Sequence, residues 1–452
     1  MSVWRIVVYL LLPYALGVLV WRGLRYPAYW YRWPERFGFV PSLSGSRTIW
    51  VHAVSVGEVR SAAPLVAELV VRYPEHRVVV TTMTPTGSQQ VRELFGERVS
   101  HCYVPYDFPD AVRRFFDRVR PEVAVVAETE FWPNIFAECG RRGIPLLLVN
   151  GRVSQVSLRG YLRVPNITRA MLANADLLCA QTPVDALRLR SLGAPSDLVH
   201  VTGNLKFDVE LPRELLAEAS ALREQWGRAR PVWIAASTHG GEERKVLAAF
   251  RVLAERYPKL LLVLVPRHPE RFAAVARLCR RRGFKVALRS RTPGALPLGT
   301  DVLVGDTMGE LQRLYAAADV AFIGGSLVAH GGQNLLEACA VDVPVIFGPH
   351  MFHFEEISAM ALERGAARQV HDVAGLVAAV ALYLDESELR RAAGRAAHTL
   401  VSDNRGALAR TLAHVEHTVR LAGIVREGAG VTVSVRPKPP VSASCLSGEP
   451  KP

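Results

Sequence analysis

Two carboxylates stand where acid–base chemistry could be done. Glu58 closes the run His52-Ala53-Val54-Ser55-Val56-Gly57-Glu58, in which a β-branched stretch gives way to a small-residue turn and then to a helical pattern. Gly57 permits a tight turn and the close approach of a ligand. A carboxylate so placed can take a proton from an attacking hydroxyl, or it can serve only as an acid favoured at a helix start. Glu130 is the second. It lies in Glu128-Thr129-Glu130-Phe131-Trp132-Pro133-Asn134, where two acids, two aromatics and a proline follow another apolar run. That loop either binds a ligand or locks the edge of a site.

A second group of segments suits an anion. Ser237, Thr238 and His239 lead into Gly240-Gly241-Glu242-Glu243 after an apolar run. Hydroxyls and backbone N–H groups at a strand-to-helix turn suit a phosphate, and equally the capping of the next helix. Arg267 leaves the next strand between Pro266 and Pro269; the prolines stiffen it, and a held guanidinium suits phosphate or carboxylate. Gly324-Gly325-Ser326 is followed by Gly331-Gly332-Gln333-Asn334 and by Glu337 on a helical pattern. Exposed N–H groups there are expected to meet a phosphate, with Glu337 reaching ribose hydroxyls. One glycine turn is weak evidence, but two clusters with a polar pair and a helical acid are specific. His350 and His353, three residues apart, are too few for a metal site, and their loop reads as part of the nucleotide side.

The elements that must position these residues follow from periodicity. Short β-branched runs at 48–54, 78–83, 123–127, 146–150 and 177–180 alternate with helical patterns. So do runs at 232–237, 260–266, 285–288, 302–304, 320–325 and 344–348. Such alternation predicts an α/β protein of two Rossmann-like lobes around an interlobe cleft, with ligands beyond the carboxyl ends of the strands. The expected organisation is a membrane anchor and basic, aromatic collar over 1–36 and an acceptor-side lobe over 37–210. An interlobe connection follows over 211–227, then a donor-nucleotide lobe with terminal helices over 228–426. The Gly, Ser, Val and Pro-rich tail over 427–452 reads as disordered.

The stretch 3–20 is apolar apart from Arg5. As a helix it is roughly 27 Å long, close to the bilayer core. Arg22, Arg25, Arg32 and Arg36, interleaved with Trp and Tyr, read as a cytoplasmic membrane-surface collar; the alternative to a spanning helix is a monotopic amphipathic anchor, and either sets the catalytic body against lipid headgroups. Lys and Arg number 55 against 42 Asp and Glu, a net charge of +13. That balance favours anionic partners, yet no nucleic-acid-binding motif is present. None of the six cysteines forms a C-x-x-C pair, which argues for buried thiols over zinc.

In order, H-A-V-S-V-G-E, T-E-F-W-P-N, S-T-H-x-G-E-E, P-R-H-P-E-R, G-G-S-L-V-x-H-G-G-x-N and G-P-H-x-F-x-F-x-E resemble the 3-deoxy-D-manno-octulosonic acid (Kdo) transferases. These are inverting, two-lobed (GT-B type) glycosyltransferases of lipopolysaccharide assembly. The resemblance spans nearly the whole chain, to about residue 426. It implies transfer of Kdo from CMP-Kdo to the lipid A precursor (lipid IVA), with the anchor in the inner membrane and the catalytic lobes cytoplasmic. By the same likeness, Glu58 matches the family's proposed base and Glu130 the acid of its T-E-x-W-P-N loop. Ser237, Thr238, His239, Arg267, Gly324, Gly325, Ser326, Gly332, Gln333, Asn334 and Glu337 fall on the donor side. No metal and no other cofactor is implied, since CMP carries a single phosphate. Two positions depart from the family pattern: Gln333, where His is common, and Ala338, where Pro is common. Glutamine both donates and accepts hydrogen bonds, so loss of activity does not follow, but the detailed donor contacts are left open. The alternative is another GT-B enzyme with a UDP-sugar donor and a lipid acceptor.

Overall fold

The apolar runs form parallel strands in a computed structural model that describes residues 12–43 and 45–421. In the first lobe the strands are β1 (Arg47–His52), β2 (His76–Thr82), β3 (Ser100–Tyr103), β4 (Pro121–Ala127), β5 (Leu146–Gly151), β6 (Leu177–Ala180) and β7 (Val199–Val201). They lie in the order 3-2-1-4-5-6-7, and every neighbouring pair is parallel. Helices cover both faces, so β1, β4 and β5 are buried almost throughout and read as unbroken apolar runs. The strand order reverses between β1 and β4. A crevice therefore opens beyond their carboxyl ends, the usual ligand position in such sheets.

The second lobe repeats the plan. Its strands are β8 (Val232–Thr238), β9 (Leu261–Pro266), β10 (Val286–Leu288), β11 (Val302–Val304), β12 (Val320–Ile323), β13 (Val345–Phe347) and β14 (Ala367–Gln369). They are ordered 10-11-9-8-12-13-14 and again all parallel. Here the order reverses between β8 and β12. In both lobes the first strand thus borders the switch point.

Contacts divide the chain into one unit reaching Leu205 and resuming at Gly406, and a second unit, Lys206–Arg405. Two expectations about boundaries change accordingly. The stretch 211–227 is no free connection: helix Leu215–Trp226 buries Leu215, Ala219, Leu222 and Trp226 in the second core. Nor do all the terminal helices belong to the second lobe. Helices Val373–Asp385 and Ser387–Asn404 pack there, but Ala407–Leu421 sets Ala407, Leu412, Val415 and Val419 into the first core. Arg410 Nε donates to Thr202 O at 2.9 Å, and Arg72 pairs with Glu416, fixing that return. An amphipathic stripe shows that a helix has a buried face, not which lobe buries it.

Much of the expected anchor, residues 1–11, lies outside the described residues, as do 422–452 and with them the tail. Helix Leu12–Arg25 is the described part of the anchor. Among the described residues no helix is long and apolar enough to cross a membrane. The collar is ordered by aromatic contacts: Arg25 lies over Trp21 at 4.7 Å, and Trp30 stacks on Trp33 at 5.3 Å. Cys102, Cys139, Cys179, Cys279 and Cys339 are buried and are not joined in disulfides.

Candidate active site

At the first switch point, Ser55 caps helix Val56–Arg72, its side chain accepting from the Glu58 N–H. The carboxylate of Glu58 turns back over the turn. Its Oε2 accepts from Val54 N–H at 2.7 Å, and its Oε1 accepts from the Ser55 hydroxyl at 2.8 Å. Glu58 is only 8 % exposed. Burial raises its carboxyl to about 8; the charges of Glu130 and Glu128 add to the rise, and the two hydrogen bonds oppose it. The carboxylate of Glu58 thus closes the helix start, and its burial beside like charge favours the protonated form.

Glu128 and Glu130 arrive from the end of β4. Glu128 sits at φ +58°, a left-handed conformation uncommon for a residue with a side chain. That kink turns the loop so that Glu130 Oε2 accepts from Trp132 Nε1 at 2.8 Å. Burial first, then Glu128, raises the Glu130 carboxyl, and the Trp132 bond holds it back. Trp132 meets the buried His52 ring edge-on at 5.5 Å. His52 in turn bonds Thr81 Oγ1 through Nδ1 at 2.9 Å, and burial pulls it down to about 4, leaving it neutral. Sequence reasoning missed Asp107, which anchors the far end of this loop. Its carboxylate accepts from the N–H groups of Asn134 at 2.9 Å and Ile135 at 3.0 Å, capping helix Pro133–Arg142. An acid 27 and 28 residues before the amides it holds leaves no local pattern to read. A cavity of about 990 Å³ beside Arg47, His76 and Ser100 lies at the amino ends of β1–β3, the opposite end of the sheet, and takes no part here.

The second switch point is organised by Glu242, another residue not singled out from sequence. Fully buried, its carboxylate accepts four backbone N–H groups: His239 at 2.9 Å, Gly325 at 2.7 Å, Ser326 at 3.0 Å and Leu327 at 2.9 Å. Burial pushes the Glu242 carboxyl up and these bonds pull it back. Four donors shared between two oxygens suit the ionised, acceptor-only form. The loop amides of Gly325 and Ser326 are therefore already occupied by an anion of the protein itself.

Other expected donor residues divide the same way. Ser326 is buried, with its hydroxyl accepting from Gly348 N–H at 2.8 Å. Thr238 is buried and donates to Glu243, which also pairs with Arg271. Gly324 packs against the Ser237 carbonyl so closely that a Cβ would stand 2.4 Å from its oxygen. Asn334 accepts from Leu336 N–H and donates to Glu337 Oε1 at 3.2 Å, closing the start of the short helix Leu336–Cys339. Gly332 lies at φ +75° against Met351. These residues build the loops.

What is left facing outward is basic. Ser237 sits at φ +56° at the strand end, as Glu128 does in the first lobe. Beyond it, His239 is half-buried, with His330 stacked on it at 4.4 Å and His268 edge-on at 5.4 Å. Arg267 follows β9, its backbone N–H on Thr238 O at 3.0 Å, and its guanidinium has no partner among the described residues. Gln333 Nε2 lies 3.2 Å from His239 Nε2. Among the described residues no group of three or more His, Cys, Asp or Glu is arranged to hold a metal. Arg267 with the three histidines can receive a doubly anionic ligand.

Two parallel seven-stranded α/β lobes, each with polar side chains gathered at its switch point, make a GT-B-like fold. The crystal structure of a putative UDP-N-acetylglucosamine 2-epimerase from Listeria monocytogenes shares the fold, with a TM-score of 0.51, 15% identity, and coverage of 86% of this chain and 100% of that one. The C-terminal CMP-Kdo binding domain of WaaA from Acinetobacter baumannii is 33% identical, covers 42% of this chain and 98% of that one, and has a TM-score of 0.40. The profile of the 3-deoxy-D-manno-octulosonic-acid transferases (kdotransferases) matches residues 31–209, and that of the group 1 glycosyl transferases matches 295–399. The 3-deoxy-D-manno-octulosonic acid transferase of Haemophilus influenzae is 42% identical over 86% of this chain and 92% of its own length. The chain belongs to the Kdo transferase family and is a glycosyltransferase.

Proposed function

We propose that this enzyme joins Kdo, delivered as CMP-Kdo, to a hydroxyl of the lipid A precursor in lipopolysaccharide core synthesis, with Glu58 as the base. The acceptor oxygen bonds to the anomeric carbon as the bond from that carbon to the phosphate oxygen of CMP breaks. The electron pair leaves with CMP, and the hydroxyl proton passes to Glu58. Attack from the face opposite the leaving group inverts the anomeric centre. The observation that carries this reading is the buried Glu58 carboxyl, raised to about 8 beside two further acids at the first switch point. A base whose conjugate acid titrates near the working pH accepts a proton effectively.

On the donor side, Arg267 and the histidines around His239 suit the phosphate and carboxylate of CMP-Kdo. Positive charge there favours the departing CMP as the sugar becomes oxocarbenium-like. Glu130, held by Trp132, keeps a second negative charge near Glu58 and so maintains its raised pKa. The net charge of +13 and the Trp- and Arg-rich collar support a location at the inner membrane with the lobes in the cytoplasm, where a phosphorylated lipid acceptor is met. The test is incubation of the full chain in detergent with CMP-Kdo and a tetra-acylated, bis-phosphorylated lipid A precursor, beside Glu58→Ala. Wild type alone should add the mass of one or more Kdo units. Turnover of a UDP-sugar in place of CMP-Kdo would move the chain to a different donor class.

A further inference from the structure

His239 stands at the carboxyl end of β8 among positive charges. His330 covers one ring face, its plane tilted by 20°. His268 meets the ring edge-on, and Arg267 and Arg271 lie close by. Burial first, and then these neighbours, pull the His239 imidazole down to about 4. The nearby acids do not reverse this. Glu242 is spent on four N–H groups, one of them the His239 amide. Glu243 is spent on Thr238 and Arg271, and Glu270 stands 4.0 Å from His268. The His239 ring is therefore neutral near pH 7. A neutral imidazole has one N–H, and the nitrogen that carries it decides what the ring offers a ligand.

Gln333 makes that choice. Its side-chain nitrogen points at His239 Nε2, 3.2 Å away. An amide nitrogen only donates, so Nε2 accepts and the ring proton resides on Nδ1. Gly325, at φ +70°, allows the two to meet: a Cβ there would stand 3.3 Å from His239 Cδ2 and 3.5 Å from Gln333 Nε2.

We propose that Gln333 is a positioning residue for donor binding: it donates to His239 Nε2 and holds the Nδ1–H tautomer, so that His239 meets the anionic part of the sugar nucleotide as a neutral N–H donor. The proposal rests on the reading of the second lobe as the donor-binding lobe. It also gives the departure at Gln333 a physical meaning. A histidine at this position could exchange donor and acceptor roles with His239 and would add a group titrating at about 6.5. Glutamine makes the same bond without a titratable proton, so the tautomer stays fixed across the physiological range.

The test uses the full chain in detergent and four forms: wild type, Gln333→Met, Gln333→Glu and Gln333→His. Long-range ¹H–¹⁵N correlation on histidine-labelled protein reads the tautomer, with the His239 signals identified by their loss in His239→Asn. Donor KM and kcat are followed against pH in parallel. Wild type should show Nε2 unprotonated. Gln333→Glu, which offers only acceptors, should move the proton to Nε2. Gln333→Met should raise donor KM roughly five-fold, the scale of one lost hydrogen bond, with kcat within about two-fold. Gln333→His should restore KM above neutral pH and bring a new pH dependence below it. A proton on Nε2 in wild type, or an unchanged donor KM in Gln333→Met, overturns the proposal. If no form uses CMP-Kdo, the donor reading fails while the tautomer result still reports on Gln333.

Discussion

Glu58 and Glu242 occupy corresponding places in the two lobes. Each is a buried acid in the first turn of the helix that follows the first strand of its sheet, beside the switch point. Their partners separate them. Glu242 accepts four backbone N–H groups and ties the loop after β8 to the loop after β12. Glu58 accepts one N–H and one hydroxyl and faces the charges of Glu130 and Glu128. Fixed donors stabilise an ionised carboxylate, whereas burial near like charge stabilises the protonated form. The same fold position therefore yields a carboxylate that holds a loop in one lobe and one that can carry a proton in the other.

The comparison breaks first at activity. Glu58→Gln should lower kcat by roughly 10²- to 10⁴-fold while thermal unfolding stays near that of wild type, as product mass and calorimetry would report. Glu242→Ala should do the reverse in emphasis. Four N–H groups lose their partner at roughly 1 kcal/mol or more each, so the apparent Tm should fall by roughly 10 °C, with activity lost through the disordered loops. Equal thermal losses in the two variants would erase the distinction drawn between them.

Subtler changes sharpen it. Removing the charge of Glu130 in Glu130→Gln should lower the Glu58 pKa and move the acid limb of kcat/KM to lower pH. Ser55→Ala should move that limb the other way, because the Ser55 hydroxyl favours the charged form of Glu58, and should cost about 1 kcal/mol as a lost helix cap. The smallest effect is on stability against pH. The folded-state pKa of Glu58 is raised, so its contribution is complete below the ordinary carboxylate range and is lost as pH rises through about 8. Chemical denaturation across that window should show the slope in wild type and its absence in Glu58→Gln.

Much of this was legible from residues alone. The central strands were visible because burial on both faces makes them unbroken apolar runs. The edge strands β3, β7 and β14 were not, since each has four residues or fewer and carries polar side chains such as Ser100, His200 and Arg368. Glu58 and Glu130 could be picked out by their position after strands. Glu242 could not, because three of its four partners lie 83 to 85 residues away. For the same reason nothing local shows that a distant carboxylate holds the amides of Gly325, Ser326 and Leu327.

The most direct test of the account is the pH dependence of kcat/KM for Kdo transfer, measured side by side for wild type and Glu58→Gln. The account predicts a wild-type rate that rises with pH through about 8 and a variant that is slow and lacks this rise. A variant with near-wild-type rate, or with the same acid limb, would show that Glu58 is not the group that takes the proton.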